Sequence, residues 1–198
     1  MFSPDKVATL SGENTYTGTT TISNGTLTYG GSNILSTGAV TINGGTLNID
    51  SYTDTVGAVT LESGSITGTG TLTGSSYAVK SGAIGAILGG SSVGLTKSTG
   101  GTVTLSGENT YTGTTTISAG TLALGADNVL SDETEVSVTG IFDLADNSDT
   151  INVLSGAGSV LLGSGTLSVG GNNGSGSFSG VIAESGGLTK LGLSLIHI

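Results

Sequence analysis

The run Leu10–Ser23, LSGENTYTGTTTIS, returns unchanged as Leu105–Ser118, 95 residues further along the chain. Whatever shape the first run takes must therefore be available twice in one molecule. The offset also holds outside the identical run. Gly25-Thr26-Leu27 maps onto Gly120-Thr121-Leu122, and Asn33-Ile34-Leu35-Ser36 onto Asn128-Val129-Leu130-Ser131. Gly45-Thr46-Leu47 maps onto Gly140-Ile141-Phe142, and Gly70-Thr71-Leu72 onto Gly165-Thr166-Leu167. A long internal period points to a repeat architecture before any side-chain chemistry is considered. On this basis the chain divides into a first long unit, 1–97, a second, 98–192, and a tail, 193–198.

Each long unit contains a shorter beat of roughly 20 residues, a period typical of solenoid coils. It separates Gly25 from Gly45, and again Gly120 from Gly140. Each beat holds two or three strand-like pieces, such as Thr20-Thr21-Ile22, Thr26-Leu27-Thr28-Tyr29 and Ala39-Val40-Thr41-Ile42. Their apolar residues alternate with Thr or Ser, which puts the two kinds on opposite faces of an extended chain. Asn24-Gly25, Asn43-Gly44-Gly45 and Gly89-Gly90 tolerate positive φ and mark corners. Three short strands per beat predict an all-β fold, a right-handed parallel β-helix (β-solenoid). Roughly nine coils at about 4.8 Å spacing would make a rod about 45 Å long. Ile22, Leu27, Leu47, Ile49, Val59, Leu61, Ile66 and Leu72 are expected inside it, followed by Ile117, Leu122, Leu124, Phe142 and Leu144. A β-sandwich, which also shows short strands between frequent turns, is the alternative. Two regions leave the beat. Ser75–Ser92 is rich in Gly and Ala and is expected to form a looser coil, and Asp127–Asp149 holds seven acids.

Composition narrows the function classes. With 37 Gly, one Pro and 9% charged residues, the chain is unlike an ordinary globular enzyme, yet its alternating aliphatics are too regular for a disordered tract. The net charge of −10, with four Lys and no Arg, argues against nucleic acid, which needs clustered basic residues. Without Cys there is neither a disulfide framework nor a thiolate metal site. No apolar run reaches the length of a membrane helix, so direct membrane insertion is not expected. Met1–Lys6 lacks a basic region followed by an apolar core, so a leader for export is expected upstream.

The motifs themselves carry a resemblance. Gly94-Leu95-Thr96-Lys97, then Gly101–Gly113 (GTVTLSGENTYTG) and Thr115–Leu122 (TTISAGTL), resemble the autotransporter-associated β-strand repeat, also called the passenger-associated transport repeat. The same signature covers Leu10–Leu27, and a third begins at Gly187-Leu188-Thr189-Lys190. Ser98-Thr99-Gly100 departs from the tighter Gly-x-Gly step usual in the family, which is expected to loosen that coil. The resemblance implies a non-catalytic passenger segment of a Gram-negative type V secreted protein, displayed at the cell surface outside the outer membrane. Such a segment would be a structural stalk whose coil-by-coil folding assists translocation; the alternative is an adhesin or self-association module. The implied partners are neighbouring coils and a C-terminal outer-membrane β-barrel of the same parent chain, with host or bacterial surface ligands a further class. The barrel's aromatic-girdled strands do not occur in this sequence.

Within that frame the motif residues have structural duties. Asn14/Asn109 and Tyr16/Tyr111 are read as an Asn satisfying turn backbone and a Tyr covering a coil edge. Thr19–Thr21 and Thr114–Thr116 are read as ordinary β-formers rather than an ice-binding array, because the triplets lie 95 residues apart. The acids Asp127, Asp132, Glu133, Glu135, Asp143, Asp146 and Asp149 match no calcium-loop pattern and are expected on outer faces. His197 is the one His and lies in the tail, so no nucleophile–His pair is expected in the body. No catalytic, cofactor-binding or metal-binding residue is assigned, no cofactor is expected, and the chain is not expected to be an enzyme. Leu193–Ile198 (LSLIHI) abandons the pattern and resembles translated sequencing adapter; the native chain is expected to stop near Gly192. Exposed edge strands at open coil ends would favour end-to-end association.

Overall fold

A computed structural model describes residues 6–193 and 196–197. Among these residues every regular element is a β-strand and every pairing between strands is parallel. Each strand meets a strand about one coil away. The shortest such step runs from Thr71 to Ile87, and the longest from Ser159 to Val181. This is a parallel β-solenoid of about ten turns, against the roughly nine expected. The sandwich alternative is thereby excluded.

The coil has three faces. The first stacks Thr20–Ile22, the start of Val40–Asn48, the start of Val59–Thr67, Tyr77–Val79, Leu95–Lys97, Thr115–Ile117, Glu135–Val138 and Val153–Gly156. The second begins with Val7–Leu10 on Thr26–Tyr29, passes through the far halves of the two nine-residue strands, and continues to Val181–Ala183. The third has regular strands only in places: Asp54–Thr55, Thr71–Thr73 and Ile87–Gly89, then Asp149–Ile151, Thr166–Val169 and Gly187–Lys190.

Alternation decides what goes inside. On the first face Ile22, Ile42, Leu61, Val79, Lys97, Ile117 and Val138 are stacked partners, while the Thr between them faces outward. On the second face Leu47, Ile66, Ile84, Leu105 and Leu124 stack, all almost completely buried. Each fully buried aliphatic side chain contributes about 1.5–3 kcal/mol of transfer free energy. Every residue expected in the core is buried except Leu27, which is half-buried because its neighbour on the outer side is the small Ala8.

The 95-residue offset is written into the backbone as well. Asn33 and Asn128 both sit at positive φ, 55° and 52°, and so do Asp50 and Ala145, at 51° and 48°. The expected corner at Gly25 recurs as Gly120, with φ of 70° and 68°. Such a conformation is costly for Ala145, so the turn is imposed by the coils on either side.

Three features differ from expectation. Ser75–Ser92 is not a looser coil. It contributes strands to all three faces, Tyr77–Val79, Gly82–Ile84 and Ile87–Gly89, and buries Ala86 and Leu88 completely. The Ser98-Thr99-Gly100 corner is also stitched, since Thr99 Oγ1 donates to Lys80 O at 3.0 Å. Finally, the two GLTK runs lie on different faces: Leu95–Lys97 on the first, Gly187–Lys190 on the third. The stretch from Gly180 to Gly187 is shorter than that from Gly82 to Gly94, so the later run arrives one face sooner. Of the tail, Ser194, Leu195 and Ile198 lie outside the described residues, while the Ile196–His197 backbone pairs with Gly176–Ser177.

Candidate functional site

The sharpest polar arrangement is a seam on the third face, where regular strand pairing lapses. There the Asn of each ENTYTG run substitutes for the missing ladder. Asn109 Nδ2 donates to Gly107 O and Val129 O, both at 2.9 Å, while its Oδ1 accepts from Leu88 N at 2.8 Å. One buried amide thus bridges three successive coils. Asn14 repeats the lower half of this pattern, donating to Gly12 O at 2.9 Å and Ile34 O at 2.8 Å.

An Asp answers from the coil below. Asp149 Oδ2 accepts from Val129 N and Leu130 N at 3.1 and 3.0 Å, and Oδ1 from Thr150 N at 2.8 Å. Its counterpart 95 residues earlier, Asp54, accepts from Leu35 N and Thr55 N, both at 2.8 Å. Asp54 and Asp149 are each 2% exposed, which corrects the outer-face position expected of Asp149. The shared offset of Asp54 and Asp149 was the available signal. The other acids of the run do lie nearer the surface; Asp127, Asp143 and Asp146 cap turn amides of Ser148, Ala145 and Ser164.

Burial pushes the Asp149 carboxyl up to about 6, with a smaller push from the Asp132 charge, against three backbone N–H groups that lower it. The folded state therefore holds more protons than the unfolded chain between about pH 4 and pH 6, and stability rises as pH falls through that window. The chain is expected to be about 1 kcal/mol more stable at pH 5 than at pH 7 from this group. Urea unfolding at both pH values, with Asp149→Asn as reference, checks this; equal pH slopes in both proteins would contradict it.

Two tyrosines support the seam. Tyr77 OH accepts from Gly74 N at 2.8 Å and lies 2.8 and 2.7 Å from Leu72 O and Gly89 O. Tyr111 is fully buried, bonds Thr115 Oγ1 at 2.7 Å, and lies against Tyr77 with ring centroids 5.9 Å apart. Tyr29, by contrast, buries its hydroxyl beside the Asp54 carboxylate without a hydrogen bond of normal geometry. Burial and then the Asp54 charge hold it well above the usual phenol range. Removing an unsatisfied polar group is neutral or favourable. Tyr29→Phe is expected to leave stability unchanged or raise it by up to about 1 kcal/mol, whereas Tyr77→Phe should lower it by about 1–3 kcal/mol. Thermal melts of the two variants make the comparison.

Lys97 occupies an inward slot between Val79 and Ile117 and is fully buried. Its stem continues the aliphatic stack, while Nζ donates to Thr99 O and, at 3.1 Å, to Ala119 O. Burial holds its pKa below the usual lysine value. The ammonium thus ties the Ser98–Gly101 corner to the next coil. Lys80 pairs with Glu62 at 2.7 Å, half-exposed and worth at most about 1 kcal/mol. No three His, Cys, Asp or Glu among the described residues converge on a metal-sized space. A cavity of about 380 Å³ opens beside Glu13, Asn14, Asn33 and Asp54. Of these groups, Asn14 and Asp54 make hydrogen bonds to the backbone of adjoining coils.

The sequence model of the Passenger-associated-transport-repeat family matches residues 8–28, 30–49 and 95–124. The chain carries passenger-associated transport repeats. The first and third matches contain the two identical runs, with Asn14 and Asn109 at the seam. The second match, 30–49, lies outside the identical runs; its Asn33–Ser36 segment marks the coil that Asn14 and Asp54 hold from either side. Comparison with curated proteins and with solved structures gives no match. The passenger-associated transport repeat belongs to autotransporter passengers, secreted or surface-displayed proteins of Gram-negative bacteria.

Proposed function

We propose that this chain is a non-catalytic stalk segment of an autotransporter passenger whose coil-by-coil folding assists movement across the outer membrane and surface display. The observation that carries this reading is the nearest-neighbour character of the fold. Each strand pairs with strands one coil away, so each coil can be added to a finished one and releases its stacking free energy locally. Folding outside the membrane then biases transport outward without ATP. The implied partners are adjoining coils and a translocator barrel of the parent chain.

The test places the chain between a secretion leader and a translocator barrel, then follows the appearance of protease-accessible passenger with time. A coil-disrupting substitution should slow surface arrival relative to wild type. Equal rates for folded and folding-defective passengers would refute the translocation role.

The adhesive alternative needs an exposed apolar or aromatic stripe along the rod. Among the described residues the exposed large apolar side chains are Val7, Tyr16, Val181, Leu188 and Leu193, all on the end coils. The division into units 1–97 and 98–192, and a foreign origin for 193–198, belong to the same proposal. Sequencing outward from both ends of the native locus tests both.

A further inference from the structure

An Asn-Gly pair is where a side-chain amide closes most readily on the next backbone nitrogen, because Gly has no Cβ to crowd the approach. The chain has three such pairs, at Asn24, Asn43 and Asn173. Asn43-Gly44 lies within the nine-residue strand Val40–Asn48, at the corner where it passes from the first face to the second. Both residues are exposed, and Gly44 has a φ of 102°. The pairing lapses at this corner. Asn43 is in register with Ser63 and Thr46 with Ser65, but neither Gly44 nor Gly45 has a register partner in the coil on either side. Among the described residues no hydrogen bond holds the Asn43 side chain. Asn173 is exposed as well, but there the attacking nitrogen is occupied: Gly174 N donates to Asn152 Oδ1 at 2.7 Å.

We propose that Asn43 is a site of spontaneous hydrolytic modification, at which Gly44 N attacks Asn43 Cγ and the corner converts to an aspartyl or isoaspartyl link. The N–Cγ bond forms as the Cγ–Nδ2 bond breaks, and the Gly44 proton leaves with that nitrogen as ammonia. One water molecule then opens the five-membered imide, so no oxidant or reductant is required. Breaking N–Cγ leaves Asp. Breaking the bond from that nitrogen to the Asn43 backbone carbonyl leaves a main chain that runs through Cγ and is one methylene longer. Either product adds one negative charge. The fold itself keeps the reactive pair in place. Positive φ favours Gly at residue 44, as it does at Gly64 and Gly82 in the next two coils, with φ of 95° and 120°. Those two follow Ser63 and Ser81, which have no amide to close, so Asn43 is the reactive member of this stack of corners. The longer product has no room. A Cβ at Gly64 would lie 2.1 Å from Gly45 O, so backbone already packs on backbone there. Nothing in this proposal depends on the transport role.

Peptide mapping by mass spectrometry of the full chain, aged at mildly alkaline pH, tests it. The mass gain of a single deamidation should accumulate at Asn43, with isoaspartyl among the products. Asn173 should gain it about tenfold more slowly, because the Gly174 hydrogen bond must break first. In urea, where the fold is lost, the two rates should converge. Hydrogen exchange on the same samples gives a second readout. Ageing of the wild type should speed exchange at residues 42–47 and 61–66, where the lengthened corner meets its neighbour. Asn43→Ser copies the corners at Ser63 and Ser81, so it should fold as the wild type does and show no such change on ageing. A folded chain that gains no mass at Asn43, an Asn173 that keeps pace with it, or exchange that rises equally in aged Asn43→Ser would each overturn the proposal.

Discussion

Gly165→Ala is expected to destabilise the solenoid by about 3 kcal/mol or more, at the upper end of what overpacking costs. A Cβ at Gly165 would lie 1.8 Å from Asn147 O, and at the equivalent Gly70 it would lie 1.8 Å from Tyr52 O. In both places the obstacle is backbone of the adjoining coil, which cannot rotate away. Coils about 4.8 Å apart leave no slack, because moving one breaks its ladder of hydrogen bonds. Neither glycine has a positive φ, so the penalty is purely steric. Gly100→Ala is the control, since nothing lies within 4 Å of its added methyl, and its effect should stay within about 0.5 kcal/mol. Denaturation midpoints and local hydrogen exchange around residues 147–165 would show the difference. Equal midpoints for the alanines at 165 and 100 would mean that the coils do not pack as closely as described.

Asn109→Ala should come next, at about 3 kcal/mol, while Asn14→Ala should cost about 1 kcal/mol. The Asn109 amide serves three buried backbone groups, Leu88 N, Gly107 O and Val129 O. Truncation strands Leu88 N in a place that water does not reach. Asn14 serves Gly12 O and Ile34 O on a coil with no coil above it among the described residues, where solvent can replace part of what is lost. Both substitutions are made in the same fourteen-residue context, so local propensity cancels between them. Chemical denaturation of the two variants measures the contrast directly. Equal losses would show that the covering coil contributes nothing to the seam.

Much of the fold is legible in the residues because a solenoid is mostly local rule. Thr20–Ile22 and Thr26–Tyr29 are strands with the expected limits, and positive φ falls on Gly25, Gly44 and Gly90 as their corners require. The candidate site was legible only in part. Asn109 and Tyr111 stood out because the motif repeats; the duty of Asn109 toward turn backbone follows from what an amide can do when buried, whereas Tyr111 lies wholly inside against Tyr77 rather than covering a coil edge. Asp149 did not stand out. It sits among six other acids in sequence, and only the stacking of its coil under Val129 and Leu130 takes it out of water.

The sequence by itself determined the period, the alternation and the corners, and with them an all-β stack of short parallel strands. These are properties of a residue and its immediate neighbours along the chain. Tertiary structure decided which face each piece occupies and what lies above and below it. It set Lys97 inside an aliphatic stack, moved the second GLTK run to another face, and turned Asn109 and Asp149 into substitutes for a missing ladder. The reason is physical: those contacts join groups about one coil apart, and a small change in the length of a single turn changes which groups meet.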